Sequence, residues 1–249
     1  MSEITSAICV QGLKFSRDGS EFYGGGGLNF ELKFGEILAV LGQNGVGKTT
    51  LLNLCLGNLR PRDGKIEILG KNVAKMSTKE LFNIVSYVPQ AKNYGLSLSV
   101  IEMVLLGLNL CVAHTPKREH IERAQRILDE LEIAHLRDKI CSRLSGGELQ
   151  MVIFARSLVK DPRIVVLDEP ESNLDFKNQV KIMEILRRLQ DEGRAILLNT
   201  HYPQNAFRLG ANALFLSRMG YDFGSKSLIN AKNLSKYFEV SADFFGEIA

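Results

Sequence analysis

The run GQNGVGKTT at residues 42–50 constrains this chain more than any other stretch. It lies between an apolar segment ending Ile37-Leu38-Ala39-Val40-Leu41 and an apolar-periodic one beginning Leu51-Leu52, which predicts strand, loop and helix in that order. The loop fits G-x-x-x-x-G-K-[ST] with Gly42, Gly47, Lys48 and Thr49 in register. Gly42, Gly45 and Gly47 permit positive φ, so the N–H groups of Gln43, Asn44, Gly45, Val46, Gly47, Lys48, Thr49 and Thr50 can converge on phosphate oxygens. A helix starting near Lys48 aims its positive end at the same point. Lys48 is placed to reach β and γ phosphates and the Thr49 hydroxyl to bind Mg²⁺, so the expected ligand is a magnesium nucleoside triphosphate.

Composition narrows the context. Of 249 residues, 45% are apolar and 24% charged, which suits a soluble chain with a sizeable core. A formal net charge of +3, evenly spread, gives no nucleic-acid footprint, and no DNA or RNA partner is expected. The start MSEITSAICVQG carries an early acid and no basic flank before an apolar core, so it does not read as a secretion signal. No apolar run approaches the ~18 residues of a membrane span, and a cytoplasmic location is expected. Cys9, Cys55, Cys111 and Cys141 lie far apart in or beside apolar sequence and read as buried free thiols.

Residues 8–34 hold two alternating runs, ICVQGLKF and LNFELKF, which predict antiparallel strands joined by a loop containing Gly24 to Gly27. A helix is expected over about 48–59, stopped by Arg60-Pro61-Arg62-Asp63-Gly64, and KIEIL returns as a strand. Ser77-Thr78-Lys79-Glu80 is a capping box, and VSYVPQ at 85–90 a buried strand ending on Gln90. Helical periodicity then fills a predicted insertion over about 91–143. It contains a helix at 99–110, then one capped by Thr115 with Pro116 at its first position and an apolar stripe of Ile121, Ala124, Ile127, Leu128 and Leu131. His114, His120 and His135 read as solvated surface. LSGGE opens another helix, and the apolar strand IVVL delivers Asp168 and Glu169 at its C-terminal end. A helix over about 176–190, the strand AILLNT running into His201, terminal strands from 213 and a small closing helix complete an α/β layer fold with a mostly parallel sheet.

These residues, in this order, resemble the ATP-binding subunits of ATP-binding-cassette (ABC) transporters over nearly the whole chain. The resemblance rests on GQNGVGKT, Gln90, the signature LSGGE, the strand-borne Asp168-Glu169, the SNLD turn ending at Asp175, and His201. It implies one cassette domain over 1–249, a P-loop NTPase with an N-terminal antiparallel β lobe and an inserted helical subdomain. It also implies ATP and Mg²⁺ as ligands. Thr49, Gln90 and Asp168 would then hold Mg²⁺, Glu169 would activate water, and His201 and Gln90 would attend the γ-phosphate. Ser145, Gly146 and Gly147 would bind the nucleotide of a second copy, head to tail, with Asp175 at the seam.

The chain departs from the family pattern at four places. Arg17 stands where a base-stacking tyrosine is common, so Arg17 by its planar guanidinium, or Phe15, Phe22 or Tyr23, is left to stack on adenine. Glu148 replaces a commoner glutamine, Leu149 a usual basic residue, and Glu171 a usual threonine. The segment YVPQAKNYGLSLSVIEMVLLG is similar to importers of metal chelates, haem, vitamin B12, molybdate or metal ions. The partners so implied are two transmembrane permease subunits and, indirectly, an extracytoplasmic binding protein, with the chain at the cytoplasmic face of the membrane. A soluble cassette ATPase of an assembly system, such as iron–sulfur cluster assembly, is the alternative.

Overall fold

Apolar runs such as ILAVL, IVVL and AILL lose their contact with water only when both faces of a sheet are covered. The computed structural model describes residues 6–17, 20–21, 26–90, 97–108 and 116–245 and meets that condition. The chain begins with β1 (Ser6–Lys14), the short pair β2 (Ser16–Arg17) and β3 (Ser20–Glu21), β4 (Leu28–Lys33) and β5 (Ile37–Leu41). Helix α1 (Lys48–Cys55), β6 (Asp63–Ile68), β7 (Lys71–Asn72), α2 (Thr78–Ile84) and β8 (Val85–Val88) follow. Helices α3 (Val100–Leu105), α4 (Arg118–Glu130) and α5 (Gly146–Leu158) then lead into β9 (Ile164–Asp168), α6 (Phe176–Asp191) and β10 (Ala195–Asn199). The C-terminal part holds α7 (Pro203–Arg208), β11 (Asn212–Leu216), β12 (Tyr221–Gly224) and α8 (Ala231–Phe238). Among the described residues no helix is long and apolar enough to cross a membrane.

The central sheet has the order β12-β11-β5-β10-β9-β8, with its five inner and far strands parallel and β12 antiparallel. A second, antiparallel sheet has the order β4-β1-β6-β7. Because side chains alternate along a strand, each central strand divides its residues between two cores. Ile37, Ala39, Leu41, Val165, Leu167, Ile196 and Leu198 pack against helices α3 to α6 and α8. Leu38, Val40, Ile164, Val166, Ala195 and Leu197 pack on the opposite face against α1 and the antiparallel sheet. This alternation decides which polar side chains meet at the strand ends.

Several local expectations are corrected. Helix α1 stops at Cys55, a turn earlier than 59, because Gly57 takes a left-handed conformation (φ 69) and its N–H bonds back to Leu54 O. The helix expected over 99–110 runs only through Leu105 and tightens into a 3-10 turn at Leu106–Leu108. Pro116 is not the first helical residue: α4 begins at Arg118 behind Lys117, and Thr115 lies outside the described residues, as do His114 and Cys111. His120 is a partly buried helix-start group rather than solvated surface, its Nδ1 accepting from Lys117 N–H at 3.1 Å, whereas His135 is exposed. Ile121 is exposed, while Ala124, Leu128 and Leu131 are buried and Ile127 packs against the same core. Cys55 and Cys141 are buried free thiols, with burial pushing Cys55 up to about 12, but Cys9 is only half-buried.

Gly107, in the turn after α3, sits so close to α5 that an added Cβ would lie 1.9 Å from Arg156 O. Gly107→Ala must therefore push the helical lobe away from α5. Urea unfolding of this variant should show a loss of about 1–3 kcal/mol, and wild-type stability would contradict the close approach.

Candidate nucleotide site

Strand β5, buried along its length, delivers the chain into the glycine loop at Gly42. There φ is 145°, and a Cβ would lie 2.3 Å from Leu216 O on β11, so only glycine fits. Gly45 and Gly47 also take positive φ. Val46 is buried in the core below and anchors the loop. Helix α1 begins behind Gly47 with no side-chain cap, unlike α2, α3, α5, α6 and α8, which are capped by Ser77, Ser99, Ser145, Asp175 and Asn230. A helix start without a side-chain cap, behind a glycine loop, is the arrangement that binds anions.

Lys48 is 5% exposed, and its Nζ donates to Gly42 O at 2.7 Å and Gln43 O at 2.9 Å. Burial pushes the ammonium below its ordinary pKa, against the pull of Glu169 and Asp168. A cleft of about 220 Å³ opens here, lined by Asn44, Gly45, Gly47, Lys48, Thr49, Thr50 and Glu169.

Strand alternation sets the next layer. Asp168 shares the face of Val166, and Asn199 that of Leu197, the face on which α1 packs. Tyr87, paired with Val166, lies on the same face. All three polar groups consequently converge beside Thr49 at the start of α1. Asp168 Oδ1 accepts from Thr49 Oγ1 at 3.2 Å and Asn199 Nδ2 at 2.5 Å, and its Oδ2 lies 3.4 Å from Tyr87 Oη. A carboxylate acceptor requires the amide nitrogen of Asn199 to face it, which leaves Asn199 Oδ1 buried without a partner. Asn199 and Tyr87 were not anticipated as site residues. A partial signal is present, since Asn199 closes the strand AILLN and Tyr87 is the penultimate residue of VSYV, both in phase with the α1 face.

Glu169 sits just past β9 in a left-handed conformation (φ 52), with its N–H bonded to Asn199 O at 2.9 Å. The turn aims its carboxylate at His201, whose Nε2 lies 2.6 Å from Glu169 Oε1. Both side chains are partly exposed, so water and substrate can reach them. Glu171, two residues on, is 2% exposed, and its Oε1 accepts from Thr200 Oγ1 at 3.1 Å.

The remaining candidates stand apart from the cleft lining. Gln90 is exposed, two residues past β8. Its neighbour Pro89 accepts from the buried Gln150 of α5 at 3.4 Å, which ties this segment to the signature helix. Ser145 caps α5 through a reciprocal box, its Oγ accepting from Glu148 N–H at 3.2 Å while its own N–H donates to Glu148 Oε2 at 2.8 Å. Glu148 thus has a structural role at its unusual position, and Leu149 is explained by burial in the core. Ser145 and Gly146 are exposed, and Gly147 lies against the Asn173 carbonyl of the SNLD turn. Asp175 is exposed and caps α6 through Asn178 N–H at 2.9 Å. Arg17 pairs with Ser20 in a short hairpin, and its side chain, like Phe22 and Tyr23, lies outside the described residues; Phe15 packs against the core.

The sequence pattern of the ABC transporter family matches residues 26–172, more than half of the chain. The chain belongs to the ABC transporter family. Molybdate import ATP-binding protein MolC of Haemophilus influenzae is 34% identical over 86% of this chain and 81% of its own length. A probable iron chelatin transport ATP-binding protein of Helicobacter pylori is 34% identical over 86% of each. A metal-chelate type ABC transporter solved in an inward-facing conformation superposes with a TM-score of 0.81 at 32% identity, covering 95% of this chain and 90% of that one. The antiparallel lobe, parallel sheet and helical lobe are accordingly those of an ABC ATP-binding domain, an ATPase.

Within this ABC domain the Glu171 carboxyl is pushed up to about 7 from its ordinary 4.5, chiefly by burial, with Glu169 adding repulsion. Below pH 4.5 both folded and unfolded chains hold the proton, so stability is unaffected. Between 4.5 and 7 the unfolded chain ionises first, and the native state loses relative stability, by roughly 3 kcal/mol once pH exceeds 7. Glu171→Gln should therefore gain stability relative to the parent chain between pH 5 and pH 8 in urea titrations. A stability difference that is the same at both pH values would contradict the buried acid.

Proposed function

We propose that residues 1–249 form one ABC cassette that hydrolyses Mg-ATP to drive import through two transmembrane permease subunits, supplied indirectly by an extracytoplasmic binding protein. The chain would act at the cytoplasmic face of the membrane as a head-to-tail dimer. The observation that carries this reading is the meeting, at one end of the sheet, of an uncapped phosphate loop, the Thr49–Asp168 pair and the Glu169–His201 pair. Import is supported by relatives named for molybdate import and iron chelatin transport, which favour a metal-containing cargo.

The residues supply each part of the reaction. Loop N–H groups from Gln43 to Thr50 and the Lys48 ammonium hold the β and γ phosphates, Lys48 exchanging two carbonyl acceptors for phosphate oxygens. A hydroxyl and a carboxylate, Thr49 and Asp168, form a hard oxygen donor set of the kind that would hold Mg²⁺, with Gln90 as a further ligand. When bound, Mg²⁺ neutralises charge on the β and γ oxygens. Asn199 and Tyr87 orient the Asp168 carboxylate. Glu169 orients the attacking water and accepts its proton, and His201 contacts the γ-phosphate. Arg17, or an aromatic neighbour, stacks on the base.

Ser145, Gly146 and Gly147 lie outside their own chain's cleft, and Ser145 and Gly146 are exposed at a helix N-terminus. That position suits a γ-phosphate presented by a second copy. Asp175, exposed beside them through the contact of Gly147 with Asn173, then lies at the seam.

Glu169→Gln should retain ATP binding and lose roughly 10²- to 10⁴-fold in turnover, the size of a general-base effect. In light scattering the same variant should be dimeric with ATP and monomeric with ADP. Near-normal turnover would remove Glu169 from its role, and a monomer in both nucleotides would contradict the sandwich.

A further inference from the structure

Three elements converge behind the Glu169–His201 pair and have no part in the chemistry above. Glu171 is buried in the turn that follows Glu169, a turn held by Ser172 N–H to Glu169 O at 3.1 Å and Ser172 Oγ to the same carbonyl at 2.8 Å. Thr200 is fully buried immediately before His201. Tyr202, immediately after it, donates its N–H to Thr200 Oγ1 at 3.0 Å, so the hydroxyl closes a small ring around the histidine. Thr200 Oγ1 in turn donates to Glu171 Oε1 at 3.1 Å.

We propose that Glu171 is a positioning residue for hydrolysis: its buried carboxyl holds the Thr200 hydroxyl and thereby fixes the turn that presents His201 to Glu169. The two segments are joined at two points besides the Glu169–His201 contact of 2.6 Å, by Glu169 N–H to Asn199 O at 2.9 Å and by Thr200 to Glu171. One joint alone leaves the His201 turn free to pivot about Asn199. Two joints fix both the distance and the direction of the imidazole.

The placement is costly, which argues against a filler role. Glu171 Oε2 is buried with no partner, and burial with the nearby Glu169 charge disfavours ionisation. Facing it are Thr200 from the end of β10, Asn205 from α7 and Glu169 from its own turn. No cation in this set offsets a carboxylate, so the uncharged acid is favoured up to about pH 7. The hydrogen bond that matters is acceptance from Thr200, which a neutral amide of the same shape can reproduce. The sequence places Glu171 at a departure from the family pattern, and the contact with Thr200 gives that departure a role.

This inference rests on the assignment of hydrolysis to Glu169 and His201, and the test separates the two. Steady-state ATPase is measured for Glu171→Leu, Glu171→Gln, Thr200→Val, the double variant Glu171→Leu/Thr200→Val and His201→Ala, with urea unfolding as the check on folding. Glu171→Leu and Thr200→Val should each lower kcat about 10-fold with the KM for ATP unchanged within about 2-fold, as expected for misplacement of a reacting group. The double variant should lose no more than the worse single one, and Glu171→Gln should recover kcat to within about 3-fold of the parent. Full kcat in Glu171→Leu or Thr200→Val, losses that multiply, or a Gln variant no better than Leu overturns the proposal while His201→Ala remains impaired. Full kcat in His201→Ala overturns both the proposal and the role of His201. Should Glu171→Leu fail to fold, Thr200→Val and Glu171→Gln decide the matter.

Discussion

A lysine ammonium buried against two backbone carbonyls is the interaction on which the site depends. Lys48 fills the inside of its own loop, bonded to Gly42 O and Gln43 O, with water largely excluded. Burial alone would drive it toward the neutral amine, and the carboxylates of Asp168 and Glu169 oppose that. Its direct hydrogen-bond partners are neutral dipoles, the carbonyls of Gly42 and Gln43. Charge-assisted bonds to phosphate are about twice as strong as neutral ones, so a nucleotide offers Lys48 better partners than the loop does. The uncapped start of α1 adds to the preference for an anion from the other side.

Around that cation the sheet acts as a sorting device. Because both faces are buried, each strand must send alternate residues to each core, and its last polar residue is committed to one face. Tyr87, Asp168 and Asn199 all fall on the α1 side and share one carboxylate beside Thr49. Glu169, one residue further, leaves the strand in a left-handed turn and faces His201. The metal-binding and water-activating carboxylates therefore differ in surroundings although they are adjacent in sequence.

Much of this was legible in the residues. GQNGVGKTT carried its own geometry because glycine spacing, the preceding strand and the following helix agree, and the positive φ values at Gly42, Gly45 and Gly47 follow from it. The capping boxes at Ser77 and Ser145 were readable or latent because they depend on residues three apart. Helix ends were less legible: Gly57 ends α1 early through a local left-handed turn, whereas the approach of Gly107 to α5 joins segments distant in sequence. Asn199 and Tyr87 lie in phase with the α1 face, but their meeting at Asp168, like the Glu171–Thr200 bond, joins segments distant in sequence. Leu149 had no account from sequence and acquires one only when the core around α5 is seen.

The most direct test of the central claim is a calorimetric titration of Mg-ATP into the parent chain and Lys48→Ala. If the buried ammonium is held for phosphate, the variant should bind ATP at least about 10²-fold more weakly, equivalent to roughly 2.7 kcal/mol, while remaining folded. Equal affinity in a folded variant would contradict the account, because the loop would then bind nucleotide without the cation it encloses.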